Sequence, residues 1–361
     1  MTTTKIVPST TGRDDDEGAE RPLGSMIRAG RAKRARKRVL VTTVLAVLLV
    51  AVFLFSLVYG STVYSFPDVF RVILGHTVPG ASFTVGELRL PRAVMGVLCG
   101  FAFGAAGVTF QTLLRNPLAS PDIIGVSAGA AAAAVTGIVV FSLGSTAVSA
   151  LALIGALVTA LAIYALSNSD GFTGTRFILI GIGLAAMLHS VISYVLSRAA
   201  AWDMQAAMRW ITGSLNGATW SSIMPLAIAF LILVPSLLIA GNSLGVLQLG
   251  DETARALGLP VVVVRVTLII VAVALLAFAT AAAGPISFVA FMSGPIAVRL
   301  LGDGTSPILA SGLVGALLVL MADLVGQYLF AGRYPVGVIT GALGAPYLIL
   351  LLIRMNRIGS R

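Results

Sequence analysis

Residues 39–60 read VLVTTVLAVLLVAVFLFSLVYG, and residues 28–38 just before them read RAGRAKRARKR. The first stretch carries no charge over 22 residues. A helix rises about 1.5 Å per residue, so this run is long enough to cross roughly 30 Å of hydrocarbon. The second stretch holds seven of the chain's 24 Lys and Arg residues. A basic cluster is one mark of nucleic-acid binding, but abutting an apolar run it is explained more simply by the positive-inside rule, with the N-terminus cytoplasmic. The run is too long for a signal peptide, starts late, and has no clear small-residue cleavage site before the next polar segment.

The rest of the chain repeats that opening. Of 361 residues 58% are hydrophobic and 11% charged, with a mean hydropathy of +1.00. Soluble domains are about a quarter charged, so the bilayer is the solvent this composition fits. After a polar stretch at 61–90, apolar runs recur at 92–114, 123–141, 146–166, 176–196, 223–240, 261–282, 286–301, 307–330 and 338–353. The expectation is an all-α polytopic membrane protein of about ten transmembrane helices. Residues 1–38 read as a disordered, basic cytoplasmic tail, 39–356 as the transmembrane domain and 357–361 as a cytoplasmic end. Ten spans put both termini on one side. That topology leaves eighteen basic residues inside and six outside (Arg71, Arg89, Arg92, Arg198, Arg209 and Arg333), whereas the inverted topology reverses the bias. Trp202, Trp210 and Trp220 mark a polar insert at 198–220, as expected of tryptophan at a membrane boundary.

Polar chemistry inside the spans is sparse. Gly96, Gly100 and Gly104, and likewise Gly125 and Gly129, recur every four residues, a spacing that lets helices approach closely in lipid. Gly125–Ala130 and Gly337–Ala342 echo each other faintly, as internal repeats of transporters do. Asp323 is the one acid well inside a span. An intramembrane acid marks function by default, yet near a helix end it also reads as an internally bonded structural group, and the structural reading is preferred. Ion-coupled carriers show more buried ionisable groups. Cys99 is the only cysteine, so no intrachain disulfide forms, and the two histidines, His76 and His189, lie far apart. We expect no catalytic residue, no metal site and no cofactor on this chain. All three lysines (Lys5, Lys33 and Lys37) precede the first span, so no phosphate-loop lysine is available. If ATP drives this protein, another chain hydrolyses it, with its magnesium.

The loop between the sixth and seventh spans reads GDETARALGLP over 250–260. Asp251 could cap a short helix that Gly258 and Pro260 end. A short cytoplasmic helix pair between two spans can dock on a soluble partner and transmit its motion; it can equally be an ordinary capped interfacial helix.

Several motifs in order resemble one family, the permease subunits of type II ABC importers for ferric siderophores, haem and cobalamin. They are Arg89-Leu90-Pro91-Arg92; Gln111 with Arg115-Asn116-Pro117-Leu118-Ala119-Ser120-Pro121 and Gly125; Trp210 with Gly213-Ser214-Leu215; the segment 250–258; Gly284-Pro285-Ile286-Ser287-Phe288-Val289; Ala322-Asp323; Pro335-Val336-Gly337; Thr340; and Gly344-Ala345-Pro346. The resemblance covers about 39–356. It implies a second permease, a paralogous heterodimer being preferred to a homodimer, two cytoplasmic ATPases and an extracytoplasmic binding protein. Asp251, Glu252, Ala254, Arg255, Ala256, Leu257 and Gly258 match the ATPase-coupling segment. Arg89 and Arg92 match arginines that grip the binding protein; the alternative is anchoring at lipid headgroups. Gln327 stands where the family commonly has a further arginine, and Arg333 could substitute. The family's usual Pro-His is Pro295-Ile296 here, so no role is assigned there. By analogy Met187, Ser190, Ser193, Met204 and Met208 border the pathway, ordinary helix packing being the plainer alternative. The implied function is import of ferric siderophore across the cytoplasmic membrane, with no nucleic acid involved. Haem or cobalamin import is the alternative within the family, and a stand-alone carrier the alternative outside it.

Overall fold

A computed structural model of the chain describes residues 23–120, 124–167, 174–302 and 306–359. Among these every regular element is helical. The first helix, α1 (Leu23–Val58), begins well before the apolar run. Residues 23–38, expected to be disordered, are therefore helical, while residues 1–22 lie outside the described residues. The reason is local. Ala, Arg and Lys are good helix formers, and extending a spanning helix needs no new nucleus. Long basic side chains there can keep their charges in water beside an apolar span.

A short helix α2 (Phe66–Ile73) follows, its Ser65 cap accepting from the Asp68 amide at 3.3 Å. Π-helical turns at Ser82–Arg89 run directly into α3 (Leu90–Leu113). Then come α4 (Val126–Val139), α5 (Ser145–Ser167), α6 (Gly174–Ser197), the insert helix α7 (Ala201–Thr212) and α8 (Trp220–Gly241). Two short helices, α9 (Leu244–Leu247) and α10 (Asp251–Ala256), form the expected pair between two spans. The chain ends with α11 (Val261–Ala283), α12 (Val289–Leu301), α13 (Ile308–Tyr328) and α14 (Val336–Gly359). Eight helices among the described residues are long and apolar enough to cross a membrane, and α4 and α12, with 14 and 13 residues, are shorter apolar ones. Together they occupy the ten expected positions. The two short ones start late because the chain turns at each entry. Gly125 sits at φ 99° before α4, and Gly284 and Phe288 sit at φ 73° and 63° before α12.

The centre of the bundle is α3, packed against α11, α12 and α13. Its small-residue stripe sets how close α13 comes. A Cβ on Gly100 would sit 2.5 Å from the Gly315 carbonyl oxygen, and one on Gly315 would collide with the Gly100 carbonyl. Glycine at both positions is what lets the two backbones touch. The bundle also contains one repaired backbone defect. Pro295 has no amide hydrogen, so the Phe291 carbonyl four residues earlier loses its helical partner. The Gln111 side chain, buried on α3, donates to that oxygen at 3.0 Å. Gly294 makes room, since a Cβ there would strike the Gln111 side-chain oxygen.

Candidate functional site

Polar side chains gather at the two ends of the bundle. At the end carrying α7, Arg89 donates to the carbonyls of Leu57 (2.8 Å), Val58 (3.1 Å) and Thr62 (2.6 Å) and lies over the Tyr64 ring. Leu57 and Val58 are the last residues of α1, where free carbonyls and the negative helix end attract a cation. Arg92 makes a bidentate pair with Asp323, Nε to Oδ2 at 2.8 Å and Nη2 to Oδ1 at 2.7 Å. Its remaining arm donates to the Asn216 side-chain oxygen, and Gln327 donates to Asp323 at 2.6 Å. The Arg92 and Asp323 side chains are only 19% and 7% exposed. Asp323 is thus an internally bonded group, as the structural reading expected. Gln327, matched to a family arginine, is a fourth member of the same network. Of the three proposed docking arginines, Arg333 is exposed, while Arg89 and Arg92 are half-buried.

The same end brings three separated motifs together. The Ser214 amide donates to the Ala283 carbonyl at 2.8 Å, and the Gly337 amide to the Gly213 carbonyl at 3.2 Å. A Cβ on Gly213 would press on the Pro285 carbonyl, and one on Gly337 would strike the Thr212 carbonyl. The stretches 210–215, 284–289 and 335–337 therefore meet at one junction of α7, α11 and α14.

At the opposite end, α10 is a single exposed turn and a half. Asp251, which the sequence offered as a possible cap, is the first helical residue; Gly250 precedes it at φ 106°. Beyond the helix, the Gly258 amide donates to the Arg255 carbonyl (2.9 Å) and the Leu259 amide to the Ala254 carbonyl (3.0 Å), with Gly258 at φ 83°. That is a Schellman stop, which explains the glycine before Pro260. Glu252, Arg255, Ala256, Leu257 and Gly258 are exposed, whereas Ala254 is fully buried and anchors the helix to the bundle. Asp251 turns inward. Its carboxylate takes two hydrogen bonds from Arg265 of α11 at 2.7 and 2.9 Å, and Arg115 lies 3.9 Å away. Arg115 also donates to the Leu247 carbonyl at 2.8 Å.

The residues assigned to the pathway lie on the outside of this chain. Met187 is 67% exposed, and Ser190, Ser193, Met204 and Met208 are exposed as well. Helix α6 is held by a stripe including Gly181 and Ile192 and leaves most of its surface uncovered. Sequence reasoning named Arg92, Asp323 and Gln327 separately but not their pairing, and it missed Asn216 and the Arg115–Asp251–Arg265 cluster. One signal was there: Arg92 and Asp323 fall toward the same side of the membrane in the proposed topology, though in the second and ninth spans. Asp251 and Arg265 flank one short loop.

This architecture, ten apolar helices among the described residues with a glycine-lined contact at the centre and a helix pair projecting from one end, is that of a polytopic membrane protein. The FecCD transport family model matches residues 48–354, and the chain belongs to that family. It is 38% identical over 323 residues to the ferric enterobactin transport system permease protein of Escherichia coli strain K12, covering 89% of this chain and 98% of that one. It is 37% identical to the achromobactin transport system permease protein of Dickeya dadantii, covering 90% and 96%. It is 34% identical to the cobalamin import system permease protein of Halobacterium salinarum, over 75% of this chain and 74% of the other. Among solved structures, a metal-chelate type ABC transporter in an inward-facing conformation superposes with a TM-score of 0.78 at 25% identity, covering 87% of this chain and 98% of that chain.

Proposed function

We propose that this chain is the membrane permease of an importer that carries ferric siderophore across the cytoplasmic membrane, driven by ATP hydrolysed on a separate chain. The observation that carries the importer reading is α10: a capped, charged helix projecting between two spans, with Glu252, Arg255 and Leu257 free to meet a partner. The cargo class rests on the near end-to-end likeness to the enterobactin and achromobactin permeases. In this reading α9 and α10 face the cytoplasm, both termini lie on that side, and eighteen of the 24 basic residues fall there.

The exposed face of α6, with Met187, Ser190 and Ser193, borders the pathway only once a second permease, a paralogue by preference, closes against it. Met204 and Met208 of α7 complete that wall. A binding protein docks at the opposite end. In this reading the exposed Arg333 meets its acidic groups directly, while Arg89 and Arg92 shape the surface beneath. Charge pairs of this kind favour encounter and register.

The test is uptake of radioiron, presented as a panel of ferric siderophores, in cells with and without this gene. Loss of uptake of one siderophore, restored by complementation, is the expected result. Unchanged uptake across the panel overturns the cargo assignment, and the same cells are then tested with haem and cobalamin.

A further inference from the structure

Helix α3 ends in an unusual way. Its last carbonyls are capped by a Schellman arrangement, the Arg115 amide to the Thr112 carbonyl (3.3 Å) and the Asn116 amide to the Gln111 carbonyl (3.0 Å). The left-handed position of that motif belongs by default to glycine, as Gly258 shows after α10. Here it is held by Arg115 at φ 49°. A side chain in that conformation is strained by about 1 kcal/mol or more, and such strain persists where the surroundings hold it.

What the strain achieves is visible in the side chain. From this position the guanidinium donates to the Leu247 carbonyl, at the end of α9, and stands 3.9 Å from the Asp251 carboxylate. Asp251 is in turn gripped by both bonds from Arg265, the fifth residue of α11. One carboxylate thus joins three elements: the coupling helix, the end of the central helix α3, and the second turn of α11. Both α3 and α11 run into the core of the bundle.

We propose that Arg115, Asp251 and Arg265 form a charged joint that carries motion of α9 and α10 into α3 and α11, as positioning residues distinct from the exposed surface that meets the partner. The inference rests on the proposed ATP-coupled function. A helix pair seated only by Ala254 and neighbouring apolar groups would slide when pushed. Charge-assisted bonds from the one Arg265 Nη2 to both carboxylate oxygens, with the Arg115 guanidinium 3.9 Å away at the end of α3, tie the helix pair to α11 and α3 by more than apolar contact.

The experiment uses the whole importer, reconstituted in vesicles, and reads cargo moved per ATP hydrolysed. Asp251→Asn is expected to insert and to co-purify with the ATPase, while cargo per ATP falls at least about fivefold, the lower end of typical coupling between sites. Asp251→Glu, which keeps the charge, restores most of the ratio. The double variant Asp251→Asn/Arg265→Gln is no worse than the more damaging single one, because the two residues act as a unit. Arg115→Gly is the sharpest arm. It relieves the backbone strain, so thermal stability holds or rises, yet cargo per ATP falls. A merely structural Arg115 predicts no fall. Additive effects of Asp251 and Arg265, or a normal ratio in Arg115→Gly, overturn the joint. Arg255→Glu separates this from the underlying reading: it reverses charge on the exposed surface and is expected to weaken ATPase association. If Arg255→Glu leaves association and uptake normal, the coupling-surface reading itself fails; if it disrupts them while Asp251→Asn is neutral, the joint alone fails.

Discussion

The two ends of the bundle carry the same chemistry in different solvents. Each has an aspartate held by an arginine: Asp323 by a two-nitrogen fork from Arg92, Asp251 by the single Nη2 of Arg265, which donates to both carboxylate oxygens. Asp323 and Arg92 are 7% and 19% exposed and are further satisfied by Gln327 and Asn216. Asp251 is 36% exposed; the arginine bonded to it, Arg265, is 14% exposed, and the second arginine beside it, Arg115, is 51% exposed, so the contrast lies in the two carboxylates and in Arg115. Burial removes the competing water, so a pair once made inside is very costly to break, while an open pair exchanges with water at little cost. The first cluster is built to stay closed and the second to be moved. One locks α3 to α13 and to the loop before α8; the other links α10 to α11 and to the end of α3, the elements that move in the proposed joint.

The largest effect should come from opening the lock. Asp323→Leu leaves the Arg92 guanidinium partly buried beside an apolar side chain, a change that typically destabilises by about 3–5 kcal/mol. Loss of the folded protein from detergent extracts is expected, or a strongly lowered melting temperature where it survives. Asp323→Asn keeps the shape and one acceptor and should fall between it and the native chain. If Asp323→Leu melts like the native chain, the network is not a lock, and the contrast between the ends has no energetic basis.

A neutral bond sharpens the comparison by separating burial from charge. Gln111 and the Phe291 carbonyl are buried as deeply as Asp323, but neither is charged. Gln111→Leu strands the carbonyl that Pro295 has already deprived of its helical partner, at an expected loss of about 1–3 kcal/mol. Restoring the amide with Pro295→Ala in the same chain should recover much of that loss, since α12 can then satisfy its own carbonyl. A melting series in detergent checks both. A Gln111→Leu loss as large as that of Asp323→Leu would mean that burial, not charge, sets the scale.

How much of this the sequence showed follows the same division. Apolar runs, glycine spacing and basic flanks depend on residues close in the chain, and they placed ten helices and the α9–α10 pair where the structure has them. Contacts distant in sequence were another matter. Arg92 and Asp323 are 231 positions apart, and nothing local in either stretch says that the arginine matched to a docking role points inward. The family pattern marked Gln111 and Pro295 separately; only the helix rule, carbonyl four residues before a proline, joins them. Arg115 read as part of a motif, since a backbone angle is not written in residue type. The basic tail was misjudged because composition typical of disorder also suits a helix already nucleated by a span.

The smallest effect on stability, and the most telling for the comparison, is expected at the open end. Asp251→Asn keeps one acceptor for the Arg265 arm, and the carboxylate it replaces is 36% exposed, so its loss should be within about 1 kcal/mol. Charges near water are also screened, with a screening length falling from about 10 Å at 0.1 M salt to about 3 Å at 1 M. The difference in melting temperature between the native chain and Asp251→Asn should therefore shrink as salt rises. The difference for Asp323→Leu should persist, because ions do not enter that site. Measuring both differences across the same salt series sets the two ends directly against each other. A salt-insensitive loss at Asp251 of the size seen at Asp323 would make the coupling end a second lock, and a joint that cannot open could not carry motion. A small, salt-screened loss accompanied by a large fall in cargo per ATP would place the function of that carboxylate in movement, not in holding the fold.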